Sequence, residues 1–149
     1  MSKKREGGYL ISQIHQLSGR IFSKKLKEYQ IDINHAQGKI IFALWKKDRI
    51  PITDLARETT LSKSALTTML ERLEMSGHLI RKQSETDKRT TIVCLTQKSS
   101  SLRADYQKIS SDMTDIFYEG FTDEEISKFE SSLKEILKNL KQKYYSIQH

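Results

Sequence analysis

Apolar residues recur at steps of three and four residues along most of the chain, which is the period of an amphipathic helix. The first predicted helix covers residues 9–29. The second covers residues 33–47 and ends before Pro51, which discourages helix continuation. Thr53 is predicted to cap a short third helix, because its hydroxyl can accept a hydrogen bond from a free backbone N–H. Three helices are therefore expected in the first 60 residues.

The next pattern combines a helix with a hairpin. Ser62 is predicted to cap a fourth helix, and Gly77 follows it as a left-handed C-terminal cap. Two strand-like runs, "HLIRK" and "TIVCLT", then flank "SETDKRT" at residues 84–90, a segment without an apolar side chain. A short helix, a second helix and a hairpin in this order are typical of a winged helix-turn-helix.

Two long helices follow the hairpin. Thr96 is predicted to cap the fifth helix, and Thr122 with Glu125 forms a capping-box pattern at the start of the sixth. The predicted fold class is mainly α (α+β), a winged helix-turn-helix with long N- and C-terminal helices in the order ααααββαα.

The fourth helix has an informative outward face. Its apolar positions, expected to point inward, are Leu66, Met69, Leu70 and Leu73. The opposite face presents short hydroxyls and charges, namely Lys63, Ser64, Thr67, Thr68, Glu71 and Arg72. Ser and Thr have only middling helix propensity, but they permit close approach and can bond to base edges and phosphates. A DNA-binding face and a merely solvated polar face both fit this pattern.

Composition narrows the class of protein. The chain has 149 residues, enough for one domain with a hydrophobic core, and its 36% hydrophobic and 30% charged residues favour a globular protein. No run approaches the roughly 20 apolar residues of a transmembrane span, and the N-terminal segment lacks the apolar core of a signal peptide. The single cysteine, Cys94, cannot form an internal disulfide. These features predict a cytoplasmic protein without membrane association.

The formal net charge of +7 is unevenly distributed. Residues 1–51 carry 11 basic and 4 acidic side chains, whereas residues 52–95 carry 7 and 6. A basic surplus favours an anionic partner such as DNA. The near-neutral central segment also fits the alternative of a winged-helix module that binds a partner protein instead of DNA. Duplex binding with steep salt dependence would separate the two.

Residues that could support catalysis or metal binding are sparse. The four histidines, His15, His35, His78 and His149, lack the close spacings and cysteine partners of a metal site. The sequence has no phosphate-binding glycine loop and no nucleophile elbow. We therefore expect no enzymatic activity, no metal and no cofactor.

The segments "ITDLARETTLSKSALTTMLERLEMSGHLIRK", "SETDKR" and "IVCLT", within residues 52–96, resemble the multiple-antibiotic-resistance regulator (MarR) family of bacterial transcription factors. The resemblance implies one domain over residues 1–149, with dimerisation helices in residues 1–33 and 97–149 and a DNA-binding lobe in residues 34–96. It also implies a homodimeric, ligand-responsive repressor that binds double-stranded DNA at a pseudo-palindromic operator, in the cytoplasm and associated with the bacterial nucleoid.

The resemblance also implies roles for individual residues. The fourth helix enters the major groove, and Arg89, oriented by Asp87, reaches toward the minor groove, whose negative potential attracts a weakly hydrated guanidinium. The DNA-binding residues expected on this basis are Thr53, Ser62, Lys63, Ser64, Thr67, Thr68, Arg72, Ser84, Asp87, Lys88 and Arg89. The expected dimerisation residues are Leu10, Ile14, Ile126, Phe129, Leu133, Ile136, Leu137 and Leu140.

A cleft for a small aromatic or lipophilic effector, between the dimer helices and the DNA-binding lobe, is a further implication of the resemblance. The candidate residues for it are His15, Leu17 and Trp45. The sequence departs from the family at Thr68, where arginine is frequent, so one DNA contact is expected to be missing. The first helix lacks the cysteine of peroxide-sensing relatives, and Cys94 is expected to be a half-buried strand residue rather than a redox sensor.

Overall fold

The computed structural model describes residues 3–148, which form six helices and a small three-stranded antiparallel sheet. In chain order the elements are α1 (Gly7–Glu28), α2 (His35–Lys46), β1 (Ile50–Pro51), α3 (Ile52–Thr59), α4 (Lys63–Met75), β2 (Leu79–Gln83), β3 (Thr91–Leu95), α5 (Gln97–Phe117) and α6 (Asp123–Gln148). The mainly α fold class, the six helices and the hairpin are confirmed.

Two compact units divide the chain within α5, between Ser111 and Asp112. The first unit has a continuous apolar core, because helices α2, α3 and α4 and the strands all contribute fully buried side chains. These are Ile40, Ile41, Leu44, Leu55, Leu66, Leu70, Leu73, Leu79 and Val93. Burial of each such side chain stabilises the fold by about 1.5–3 kcal/mol relative to exposure. This core positions α4 and the hairpin.

The second unit contains the last residues of α5 and all of α6. The Tyr118 hydroxyl donates to the Glu130 carboxylate (2.7 Å), and the Tyr118 ring lies edge-on to Phe129, with centroids 6.2 Å apart. The predicted capping box is confirmed, because the Thr122 N–H donates to the Glu125 carboxylate (2.9 Å) and the Glu125 N–H donates to the Thr122 hydroxyl (3.1 Å). Two reciprocal bonds thus begin α6.

Two details of the predicted order are wrong. The prediction lacked β1, a two-residue strand in which Ile50 pairs with Val93, so the sheet order is β1-β3-β2. Pro51 suits this edge position because it has no N–H to offer a neighbouring strand. Thr53 does not cap α3. The helix begins at Ile52 directly after Pro51, without a side-chain cap, and Thr53 lies in its first turn.

The boundaries of α4 follow the prediction. The Ser62 hydroxyl accepts from the Ala65 N–H (3.2 Å) and caps the helix. Gly77 follows the C-terminal end with φ +82°, a left-handed conformation that costs glycine little. Thr96 directly precedes α5, as predicted, but its hydroxyl donates to the Gly77 carbonyl (2.5 Å), which links the start of α5 to the end of α4.

A set of polar contacts around the buried His78 also fixes the end of α4. The fully buried His78 ring places Nε2 2.8 Å from Asp32 Oδ1, and the Ser99 hydroxyl donates to the His78 carbonyl. Lys98 Nζ donates to Asp32 Oδ2 (3.0 Å) and to the Ser76 carbonyl (2.7 Å). Burial raises the pKa of Asp32, but the hydrogen bonds from Lys98 and His78 outweigh it and leave this pKa below its usual value. Three distant chain segments meet here.

Helices α2 and α5 approach closely at Gly38. A Cβ added to Gly38 would lie 2.5 Å from the Tyr106 hydroxyl oxygen and 2.9 Å from its Cε2. Tyr106 is itself buried against the rings of Phe22, Phe42 and Trp45, with centroids 5.3, 6.5 and 5.1 Å away, and burial raises its pKa to about 12. A side chain at position 38 would therefore have to displace the Tyr106 ring.

Candidate nucleic-acid interface

The outward face of α4 exposes the residues predicted for it, whereas Leu66, Leu70 and Leu73 beneath it are buried and Met69 is half-buried. The exposed residues of this face, with the Ser62 cap, are Ser62, Lys63, Ser64, Thr67, Thr68, Glu71 and Arg72. Thr53 is exposed in the first turn of α3. The amphipathic pattern of α4 is therefore confirmed, and its polar face is accessible.

Two threonine hydroxyls on this face donate back into the helix. Thr67 Oγ1 donates to the Lys63 carbonyl (2.9 Å), and Thr68 Oγ1 donates to the Ser64 carbonyl (3.1 Å). Because each hydroxyl proton is engaged, the oxygen is left as an acceptor next to an exposed methyl group. Such a pair of groups complements the amino donors of cytosine or adenine and the thymine methyl in the major groove.

The loop between β2 and β3, residues 84–90, is held by its own hydrogen bonds. Ser84 Oγ accepts from the N–H groups of Thr86 and Asp87 (3.3 Å each), and the Ser84 N–H donates to the Thr90 carbonyl (2.9 Å). Ser84 and Asp87 are half-buried and organise the loop, whereas Lys88 and Arg89 at the tip are exposed. A loop ordered in this way presents its tip in one conformation.

Arg89 is an almost fully exposed charged group of this tip. Its side chain is 92% exposed, and Asp87 Oδ1 accepts from both its backbone N–H (3.1 Å) and its Nε (3.2 Å). The hydrogen bond from the Arg89 backbone N–H lowers the pKa of the Asp87 carboxyl most, and the bond from the Arg89 side chain lowers it further. Asp87 therefore braces the turn and orients the guanidinium at once, while Lys88 adds a second exposed charge.

A separate open cleft of about 610 Å³ lies between α1 and α2. Its described lining contains three basic side chains, two histidines and no carboxylate, and consists of His15, Gln16, Gly19, Arg20, Ser23, Lys24, Lys27, Asn34, His35 and Ala36. His15 and His35 face each other with ring centroids 6.3 Å apart. Of the candidate effector residues, the structure brings only His15 to this cleft. Leu17 is exposed on α1, and Trp45 packs against Tyr106.

The cleft residue His35 makes stability depend on pH. Burial lowers its pKa from 6.5, and the positive charges of Lys39 and His15 lower it further. The unfolded chain therefore binds more protons than the folded chain just below pH 6.5, so stability falls as the pH is lowered through that interval. We expect His35→Gln to flatten the decline in unfolding free energy between pH 7 and 5, as measured by denaturant titration at fixed protein concentration. An unchanged slope would contradict this.

The predicted dimerisation residues differ in exposure. Leu10 and Ile14 on α1 are exposed. On α6, Ile126, Phe129 and Leu133 are half-buried, whereas Ile136, Leu137 and Leu140 are exposed. Each of the two helices therefore presents apolar side chains to solvent.

The described residues contain neither a group that could hold a metal ion nor a helix that could span a membrane. Within residues 3–148, no three His, Cys, Asp or Glu side chains are grouped closely enough to hold a metal ion, and His149 lies outside the described residues. None of the described helices is both long and apolar enough to cross a membrane. Cys94 is a buried residue of β3.

The helix pair α3 and α4, followed by a hairpin whose tip exposes Lys88 and Arg89, defines a winged helix-turn-helix protein. The sequence model of the MarR family matches residues 33–91, which contain this whole motif up to the start of β3. The chain therefore contains a MarR-family domain, and the relatives and structural neighbours below are MarR-family transcription regulators. Because members of this family are regulators, the expectation that the chain is not an enzyme is confirmed.

Individual relatives agree with this assignment. The organic hydroperoxide resistance transcriptional regulator of Bacillus subtilis is 26% identical over 85% of this chain and 86% of its own length. A MarR transcriptional regulator from Methanosarcina mazei is 25% identical, with a TM-score of 0.83 over 93% of this chain and 99% of that chain. A mutant MarR from E. coli, in a crystal structure with operator DNA, is 27% identical, with a TM-score of 0.78 over 87% and 92% of the two chains.

Proposed function

We propose that this chain is the protomer of a homodimeric, ligand-responsive repressor that binds a pseudo-palindromic operator in the bacterial cytoplasm. The observation that carries the proposal is the exposed Arg89 guanidinium, held by Asp87 on an ordered loop. A fixed guanidinium is suited to a narrow minor groove, because it keeps its charge, is weakly hydrated and loses little further freedom on binding.

The face of α4 supplies the second part of the proposed interface. Its short side chains permit close approach to the floor of the major groove, where Thr67 and Thr68 can accept from base amino groups. Lys63, Arg72 and Lys88 are exposed and suited to phosphate oxygens. Base contacts by α4 would specify sequence, while the phosphate contacts would set register and affinity.

A homodimer is supported by the apolar side chains that α1 and α6 each expose. Among them are Leu10 and Ile14 on α1, and Leu137 and Leu140 on α6. Burial of these residues against a second copy would remove apolar surface from water. The whole chain then acts as one MarR-type domain, with residues 1–33 and 97–149 in dimerisation and residues 34–96 in DNA binding.

The proposal is tested by selecting duplexes from a random pool and footprinting the enriched sequence. We expect two inverted half-sites whose centres are separated by about one helical turn of DNA, or a multiple of it. Sedimentation should give a dimer bound to one duplex, and affinity should fall steeply with salt. Failure to enrich any sequence, with binding to a protein partner instead, would favour the alternative of a protein-interaction module.

Thr67 provides a prediction about base preference. Thr67→Val keeps the shape and the methyl group but removes the acceptor oxygen, so we expect discrimination at one base pair to weaken by about 1–3 kcal/mol. Thr67→Ser retains the oxygen and should keep that preference while weakening any thymine-methyl contact. Binding of single-base variants of the selected site measures both changes. Equal preference in all three proteins would remove Thr67 from direct readout.

The cleft between α1 and α2 is the proposed effector site. Its three basic side chains, Arg20, Lys24 and Lys27, and the lack of a carboxylate among its described lining residues support an anionic member of the small aromatic or lipophilic class that the family resemblance implies. A ligand acts as an effector only if it binds one spacing of the DNA-binding lobes better than the other. A screen for release of the selected duplex should therefore pair aromatic carboxylates with their uncharged amides, and Arg20→Gln should weaken the response.

A further inference from the structure

The strand β2 is tied to the end of α4 by one carboxylate. Glu74 Oε1 lies 3.1 Å from Arg81 Nη2, and Glu74 Oε2 accepts from the Arg81 backbone N–H at 3.0 Å. Both carboxylate oxygens of Glu74 thus accept from Arg81 of β2, the first strand of the wing (residues 79–95). The pair is partly buried, with side-chain exposures of 37% for Glu74 and 28% for Arg81.

The register of the hairpin explains why the Arg81 amide is available. In the antiparallel β2–β3 pair, the Ser84 N–H donates to the Thr90 carbonyl and the Thr96 N–H donates to the His78 carbonyl. Hydrogen-bonded positions alternate, so the Arg81 N–H points away from β3. Because β2 is an edge strand, no further strand accepts from it. Glu74 fills that role from the neighbouring helix.

The placement of Glu74 is unfavourable for the helix alone. It is the penultimate residue of α4, where the negative end of the helix dipole disfavours a carboxylate. The hydrogen bond from the Arg81 side chain lowers the pKa of Glu74 and offsets this repulsion. Glu74 is unfavourable for α4 itself but forms a favourable pair with Arg81 of β2. This indicates that the contact with β2, and not helix stability, determines the residue at this position.

We infer that Glu74 and Arg81 are a positioning pair that sets the angle between the recognition helix α4 and the wing, and thereby the reach of Arg89. The inference rests on the proposed DNA-binding role of Arg89. The wing extends roughly 15 Å beyond Arg81 at about 3.3 Å per residue, so a tilt of about 10° at the strand base moves the tip by roughly 2–3 Å. That displacement exceeds the tolerance of a hydrogen bond.

The direction in which Glu74→Gln changes duplex affinity separates a positioning role from a simple effect of charge. Glu74→Gln removes a negative charge close to the proposed DNA surface, which on charge alone should strengthen binding. Loss of the positioning pair should instead weaken binding of the selected duplex by about three- to fivefold. Glu58→Gln is the matched control, because it removes the same charge from an exposed position near the end of α3 that has no part in the proposed interface, and it should bind equally well or more tightly.

Amide hydrogen exchange tests the pair without DNA. In Glu74→Gln, exchange should accelerate at Arg81 and across residues 84–90, with the core of the first unit unchanged. Unchanged exchange at the wing, or duplex binding by Glu74→Gln that equals or exceeds wild type, would overturn the inference.

A double-mutant cycle with Arg89→Ala then links the pair to the tip. The affinity lost through Arg89→Ala should be smaller in the Glu74→Gln background than in wild type, and equal losses would also overturn the inference. If Arg89→Ala does not change duplex affinity in the wild-type background, the proposed contact between the wing and DNA is wrong. The hydrogen-exchange result then still decides whether Glu74 and Arg81 restrain the wing.

Discussion

Arg89→Ala is expected to weaken binding of the selected duplex by about tenfold for each wing that contacts DNA, without lowering the unfolding free energy. The side chain is almost fully exposed, and among the described residues its hydrogen bond is to Asp87 of the same loop, so its loss should leave the hydrophobic core unchanged. Removal of one cation that contacts the DNA should also reduce the salt dependence of binding by about one counterion for each wing. Fluorescence anisotropy at several salt concentrations measures both effects.

Two controls sharpen this experiment. Arg103→Ala removes the same charge from an exposed site on α5, so it separates a local contact from the effect of net charge. Arg89→Lys keeps the charge but loses the planar guanidinium and its Nε bond to Asp87. We expect Arg103→Ala to bind nearly as well as wild type and Arg89→Lys to recover only part of the lost affinity. If Arg89→Ala binds as tightly as wild type, the wing has no part in DNA recognition.

Gly38→Ala is expected to lower the unfolding free energy by about 1–3 kcal/mol, because its new methyl group overlaps the Tyr106 hydroxyl. The gain of about 1 kcal/mol in helix propensity from Gly to Ala is included in this net value. A flexible side chain could move away at little cost. Tyr106 cannot, since it is buried and enclosed by the rings of Phe22, Phe42 and Trp45.

The measurement is denaturant unfolding at one fixed protein concentration, because dimer formation would make stability depend on concentration. Gly8→Ala is the matched control, since nothing lies within 4 Å of a Cβ at that position in α1. It should leave stability unchanged or slightly raised. Adding Tyr106→Phe to Gly38→Ala removes the nearest atom and should restore part of the loss. Stability equal to wild type in Gly38→Ala would show that the contact relaxes freely.

Local patterns in the sequence were sufficient for most of the fold. The helical period predicted all six helices, and the caps at Ser62, Gly77 and Thr122 fixed ends that the structure confirms. A further capping box at Asn34 and Gln37, which starts α2, has the same local signature and was missed. Each of these features is decided by residues at most four positions apart.

Features that depend on distant residues were not predictable in this way. The strand β1 has only two residues and exists because Ile50 pairs with Val93, so no local period marks it. The Asp32 and His78 contact joins residues 46 positions apart. Thr53 was assigned a cap because its hydroxyl suits one, but Pro51 holds the extended conformation of the cap position, so α3 begins two residues earlier than a Thr53 cap would imply.

In the candidate site, too, features set by neighbouring residues were predicted and features that join distant residues were not. The face of α4 and the tip residues Asp87 and Arg89 were assigned from local pattern and family resemblance, and their roles in DNA binding stay predictions; the structure shows the α4 face and Arg89 exposed and Asp87 half-buried. The basic cleft was missed, although Arg20, Lys24 and Lys27 follow a helical step of four and three that places them on one face of α1. Glu74 and Arg81 were missed because a helix end and a strand must be folded before they meet.

The only tryptophan of the chain gives these experiments a built-in optical signal. The Trp45 indole is half-buried against Tyr106, and within the described residues its Nε1 atom is buried without a hydrogen-bond partner. An indole in such an apolar environment emits at shorter wavelength than one in water. The emission maximum therefore reports directly on the contact between α2 and α5, so unfolding, repacking in Gly38→Ala and any ligand-driven shift of α2 can be followed without an attached dye.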